Sequence, residues 1–197
     1  MSEKKLLREW YPVEYKPETI KEGRDKNGGK IFLSGVIQKA DTKNQNGRIY
    51  PQAVLQREVD NYTKAVREGR ALGELDHPES STVSLKNVSH CIREVWWDGK
   101  NVMGKVEVLG TPQGKVLESL LESGICIGIS SRGVGSTSKT NEGVDEVNDD
   151  YQIICWDIVS EPSTPGAYLF REGRSIDLDP KKTWSKADRI YRALNEI

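Results

Sequence analysis

Apolar residues in this 197-residue chain come in short runs, each cut by glycine, proline or an Asp-Gly pair. Runs of that length suit strands and short helices that share a core, and none is long enough to cross a bilayer. Strand periodicity marks Lys30–Lys39. Helical spacing then joins Val54, Leu55, Val59, Tyr62 and Val66, with Pro51 suited to the first helical position and Gly69 as the stop. Two strands, Val88–Trp97 and Val102–Leu109, flank a DGKN turn at 98–101, a hairpin signal. Thr111 is placed to cap a second helix, Pro112 to open it and Gly124 to end it, with Val116, Leu117, Leu120 and Leu121 as its apolar stripe. ICIGIS (125–130) and YQIICWDIVSEPS (151–163) read as further strands, separated by an acidic loop, NEGVDEVNDD (141–150). Trp184–Glu196 reads as a third amphipathic helix. Strands and helices in mixed order, with strands dominant, predict a β-rich α+β fold.

The expected organisation has three parts. Residues 1–28, polar and broken by Pro12 and Pro17, form a loosely held arm; residues 29–172 form the main domain; residues 173–197 form a linker and the C-terminal amphipathic helix. Hydrophobic residues at 36% and charged residues at 30% fit a real core under a well-solvated surface. Net charge is −1 with Lys and Arg dispersed, so no nucleic-acid footprint is expected. The N-terminus lacks an apolar stretch behind its charges, which argues against a secretory signal. Cys91, Cys126 and Cys155 are odd in number and lack CxxC spacing, the pattern of free thiols in a reducing compartment. No HExxH or similar ligand spacing is present, so neither a metal nor another cofactor is expected.

Chemistry concentrates in GISSRGVGS (128–136). If the strand over 125–130 alternates regularly, Ile125, Ile127 and Ile129 share the core face, while Cys126, Gly128 and Ser130 share the other. That favours Ser130 over Ser131 as a nucleophile. A serine hydroxyl needs a base within hydrogen-bond reach, and the chain has only two histidines, His77 and His90. His77 lies in a loop, GELDHP, where it can be aimed into a cleft; His90 lies inside a strand, where a packing role is expected. A solvated loop imidazole is the alternative for His77. Asp157, an acid in an apolar strand, is the candidate acceptor for the histidine, with Glu161 second and Asp76 too near His77 to orient it. SRGVG reads as a glycine-rich turn whose N–H groups, at Arg132 and Gly133, could meet an oxyanion or bind substrate.

NGRIYP, ALGELDHP, the Trp96–Trp97 pair, GISSRGVGS and WDIVSEPSTPGAY occur in that order over roughly residues 30–170. The set resembles the prohead core proteases of T4-like tailed phages. The resemblance implies a barrel-like β core surrounded by helices, related to the herpesvirus assembly proteases. It implies a serine endopeptidase inside the phage prohead, in the host cytoplasm, that cuts scaffolding, core and capsid proteins, and itself, after glutamate in (L/I)xE contexts. The family's histidine falls on His77, its nucleophile on Ser130, and its third member on Asp157. LRE at 7–9 and LNE at 194–196 offer self-cleavage sites after Glu9 and Glu196, and Arg132 or Arg48 could receive the substrate glutamate. A homo-oligomer is expected, with no membrane or nucleic-acid partner. The rival readings are a catalytically silent capsid or core assembly protein of the same fold, a metal hydrolase using His77 and His90, and a cysteine hydrolase using Cys126 or Cys155.

Overall fold

The structure, a computed structural model, describes residues 5–12, 28–44, 46–125 and 127–160; of the first segment's side chains it describes Leu6 and Leu7. The C-terminal helix, Glu161, Cys126 and the Glu196 site therefore lie outside the described residues.

The chain runs β1 (Lys5–Pro12), β2 (Ile31–Lys39), β3 (Arg48–Ile49), α1 (Gln52–Arg67), β4 (Leu72–Glu74), β5 (Val88–Asp98), β6 (Asn101–Val108), α2 (Pro112–Glu122), β7 (Gly128–Gly135), β8 (Thr137–Lys139), β9 (Asp145–Val147) and β10 (Gln152–Val159). These strands form three sheets in the orders β1-β7-β10, β2-β6-β5-β4 and β3-β9-β8. None closes on itself among the described residues, so the barrel implied by the resemblance is not seen as a closed sheet. The two larger sheets do abut. A parallel bridge, Leu75 to Ile158, ties the end of β4 to β10, and β1 lies against β2.

Helix α1 presents Val54, Leu55, Val59 and Tyr62 to the core, as its spacing requires. Pro51 sits one place earlier than expected, as the N-cap, where extended backbone suits it. Gly69, at φ +68°, supplies the left-handed residue that ends the helix. Glu58 is buried in the same face and accepts from the Ile153 N–H, fastening α1 to β10. Helix α2 has the expected cap: Thr111 Oγ1 accepts from the Gly114 N–H at 3.1 Å, and Pro112 opens the helix. Its buried stripe is narrower than expected, since Leu117 and Leu121 are buried but Val116 is 50% exposed. Together the helices cover β5, with α1 also on β10 and α2 on β6.

Three expectations change. Residues 5–12, expected in the loose arm, form β1, an antiparallel partner of β7 over its whole length. The acidic loop contains β9, which pairs with β8 and β3. Above all, the strand expected at 125–130 begins three residues later and runs through the whole of GISSRGVG. Ile125 lies before it and is 47% exposed, whereas Ile127 and Ile129 are buried. The glycines of this stretch therefore make no turn. They admit Tyr151: a Cβ on Gly133 would stand 2.4 Å from the Tyr151 ring, and one on Gly135 would stand 2.8 Å from its Cα. Opposite them, β10 carries one extra residue between Ile153 and Cys155, a bulge after which pairing resumes with Cys155 facing Arg132.

Candidate active site

Residues directly opposite each other in an antiparallel pair project to the same face, and so do residues two apart in one strand. In the β7–β10 pair Ser130 stands opposite Asp157 and Arg132 opposite Cys155. These four side chains therefore share one face. Ser131 and Trp156, also paired, share the other. Every one of the four is buried, Ser130 at 2% exposure.

His77 reaches this face from the loop between β4 and β5. Leu75 bridges to Ile158, and the Asp76 N–H donates to the Ile158 carbonyl at 2.8 Å. Asp76 then takes φ +65°, a left-handed conformation that aspartate tolerates better than most residues. The chain turns there and carries the imidazole over the sheet. So Asp76, discounted as a side chain, helps aim His77 through its backbone.

His77 Nε2 lies 2.5 Å from Ser130 Oγ, and His77 Nδ1 lies 2.9 Å from Asp157 Oδ2. The serine, imidazole and carboxylate thus form one continuous chain, with His77 alone partly open to solvent. The other Asp157 oxygen is fully occupied. Oδ1 accepts from the Glu74 N–H at 2.9 Å, from Arg132 Nη2 at 3.2 Å and from the Cys155 thiol at 3.2 Å. Arg132 Nε also stands 2.9 Å from Oδ2, close enough for an ion pair though at an angle that makes no hydrogen bond. Burial alone would raise the Asp157 carboxyl. The His77 hydrogen bond, the Glu74 N–H and the charges of Arg132 and His77 outweigh it and hold the pKa below the ordinary carboxylate value. An ionised carboxylate against Nδ1 keeps the N–H there and leaves Nε2 free to accept the serine proton.

The remaining expected residues lie elsewhere or act differently. Arg132 and Gly133 are in the central strand of a sheet, flanked by β1 and β10, so the turn on which their oxyanion role rested is absent. The Arg132 guanidinium is wholly buried and cannot line an open substrate pocket. Arg48 belongs to β3, in the third sheet. His90 is buried away from Ser130: its Nδ1 pairs with Ser89 Oγ at 2.8 Å and its Nε2 with the Trp156 carbonyl at 2.9 Å. Burial lowers its pKa to about 4 despite that carbonyl, which fixes it as a neutral packing residue near pH 7. Burial pushes the Cys155 thiol well up, the opposite of what a thiolate nucleophile needs. Among the described residues no group of His, Cys, Asp and Glu is arranged to hold a metal ion.

Glu74 was not among the expected residues. It is fully buried, and its Oε1 accepts from Arg132 Nη2 at 3.0 Å and from the Ser84 N–H at 2.8 Å. The signal was available: an acid between Leu72 and Leu75 in ALGEL is as costly to bury unpaired as Asp157 is.

Residues 10–175 match the model of a family described as prohead core protein serine protease. The prohead core protein protease of Enterobacteria phage T4 is 32% identical over 174 residues, spanning 84% of this chain and 80% of that one. The solved structure of the bacteriophage T4 capsid assembly protease superposes with a TM-score of 0.70 at 28% identity, covering 81% of this chain and 99% of the other.

Proposed function

This chain belongs to the prohead core protein serine protease family, and from that membership we propose that it is a serine endopeptidase using Ser130, His77 and Asp157. It is a protease of the phage prohead. The observation that carries the catalytic assignment is the unbroken chain of contacts from Ser130 Oγ through both His77 nitrogens to Asp157. Ser130 attacks the scissile carbonyl as His77 Nε2 takes its proton. Asp157 stabilises the imidazolium, which then returns the proton to the leaving amine; water repeats the cycle on the acyl-enzyme.

The substrates we propose are scaffolding, core and capsid proteins, met inside the immature capsid by a homo-oligomeric enzyme in the host cytoplasm. Names of the relatives support the setting. Cleavage after glutamate in (L/I)xE contexts rests on the family resemblance, and it requires a cation other than the buried Arg132. We also read the two larger sheets as a split barrel of herpesvirus-protease type. β4 lies beside β10 and β1 beside β2, so each sheet turns both its edges to the other.

Diisopropyl fluorophosphate tests the assignment without needing the substrate sequence, since an activated serine displaces its fluoride and keeps the phosphoryl group. Intact mass and peptide mapping should place the adduct on Ser130 in the wild-type protein. Ser130→Ala should take none, and His77→Ala should label ~100-fold or more slowly, the contribution expected of a general base. An adduct on Ser131, or labelling indifferent to His77, sinks the triad. A wild type that neither labels nor cuts scaffolding protein is the silent assembly protein.

A further inference from the structure

The cluster beneath the site contains more charge than the triad uses. Arg132, Glu74 and Asp157 are all fully buried, and Arg132 pairs with both acids. Arg132 also donates from Nη1 to the Ser80 carbonyl at 2.7 Å, and Glu74 Oε1 accepts from the Ser84 N–H at 2.8 Å. Ser80 and Ser84 belong to the loop that carries His77. One guanidinium and one carboxylate thus bind the acid of the triad on one side and the loop of its base on the other.

Burying such a cluster is expensive, and an apolar set of similar volume is often as stable or more so. Stability is a poor reason for its presence. Geometry supplies a better one. A guanidinium is a planar fork with several donors in fixed directions, which a lysine cannot imitate. It can fix Asp157, Glu74 and the Ser80 carbonyl relative to one another, and a hydrogen-bonded chain of three groups loses rate steeply when one of them drifts.

Resting on the triad reading above, we propose that the buried Arg132–Glu74 pair is the positioning device of this site, locking the Asp157 carboxylate and the His77 loop into one rigid unit. The pair also sets the charge around the imidazole. The charged and titratable groups gathered there are Asp157 and Cys155 from β10, Arg132 from β7, Glu74 from β4, and Asp76 next along the loop. Among the buried groups Arg132 balances one of Asp157 and Glu74, and an imidazolium at His77 balances the other, while the exposed Asp76 is screened by water. Removing the Glu74 charge therefore disfavours the imidazolium.

Phosphorylation of Ser130 by diisopropyl fluorophosphate, followed against pH, reads both effects in the full chain. Arg132→Lys keeps the charge but loses the fork; its plateau rate should fall about 100-fold. Glu74→Gln keeps much of the shape but loses the charge; the inflection of its rate profile should move to lower pH. A purely structural role would change stability and leave that inflection in place. If both variants fold, by circular dichroism, and label with the wild-type rate and inflection while His77→Ala does not, the positioning role is wrong and the triad stands. If Arg132→Lys fails to fold, an unmoved inflection in Glu74→Gln overturns the proposal by itself. If labelling of wild type is absent or indifferent to His77, the triad fails and this inference goes with it.

Discussion

Ser131 is as buried as Ser130 but faces the opposite side of β7, and its Oγ has no hydrogen-bond partner among the described residues. An unsatisfied buried hydroxyl costs stability, and alanine removes it. Ser131→Ala should label at the wild-type rate and unfold at the same or higher urea concentration, with a gain of up to about 1 kcal/mol. His90 gives a pH prediction. Its pKa falls from 6.5 in the unfolded chain to about 4 in the fold. The unfolded state binds the proton first, so stability is complete above pH 6.5 and is lost as pH falls from 6.5 to 4. The total is roughly 3 kcal/mol. Asp157 is also depressed, and its share is lost only at lower pH, below the ordinary aspartate range. Urea melts between pH 7 and 4.5 should show the slope, and His90→Gln should flatten it. Much of this site was legible. Strand alternation separated Ser130 from Ser131, two histidines left a short search, and an acid in an apolar strand demanded a partner. The need of Glu74 for a partner carried the same local signal, but its pairing with Arg132 did not show, because a partnership between residues 58 apart leaves no local pattern.

Strand β4 is three residues long, yet it sets the start of the His77 loop. Gly73 lets it lie close: a Cβ there would stand 2.2 Å from both His90 Nε2 and the Trp156 carbonyl. Gly73→Ala should break that hydrogen bond and force β4 outward, at about 2–3 kcal/mol in a urea melt. Elements bounded by turn chemistry were the legible ones. Both described helices and the β5–β6 hairpin ended where glycine, proline and Asp-Gly said they would. β7 was misread for the same reason, since its glycines resemble turn residues and the ring that needs them, Tyr151, belongs to another part of the chain. β1 and β9 escaped notice because β1 stands among charges and prolines, β9 is three residues in an acidic stretch, and their partners are distant: β1 leans on β7, and β9 on β3 and β8.

On the scale of the molecule, β7 is held from both sides, by β10 from within the core sequence and by β1 from the far N-terminus. Leu7 of β1 belongs to the hydrophobic core. Removing residues 1–12 should strip one whole ladder from the strand that bears Ser130, lowering the melting temperature and promoting association through the bared edge. Thermal circular dichroism and size-exclusion chromatography would register both. The bulge in β10 also bears on how the protein can vary. Carried straight on from Gln152 opposite Val134, the ladder would bring Trp156, not Asp157, to Ser130. The one uncounted residue, Ile154, restores the match. The site therefore depends on arithmetic along the chain as much as on chemistry. Deleting Ile154 merely straightens the strand and leaves acid facing serine, whereas inserting one residue between Cys155 and Asp157 exchanges the faces and abolishes labelling of an otherwise unaltered Ser130.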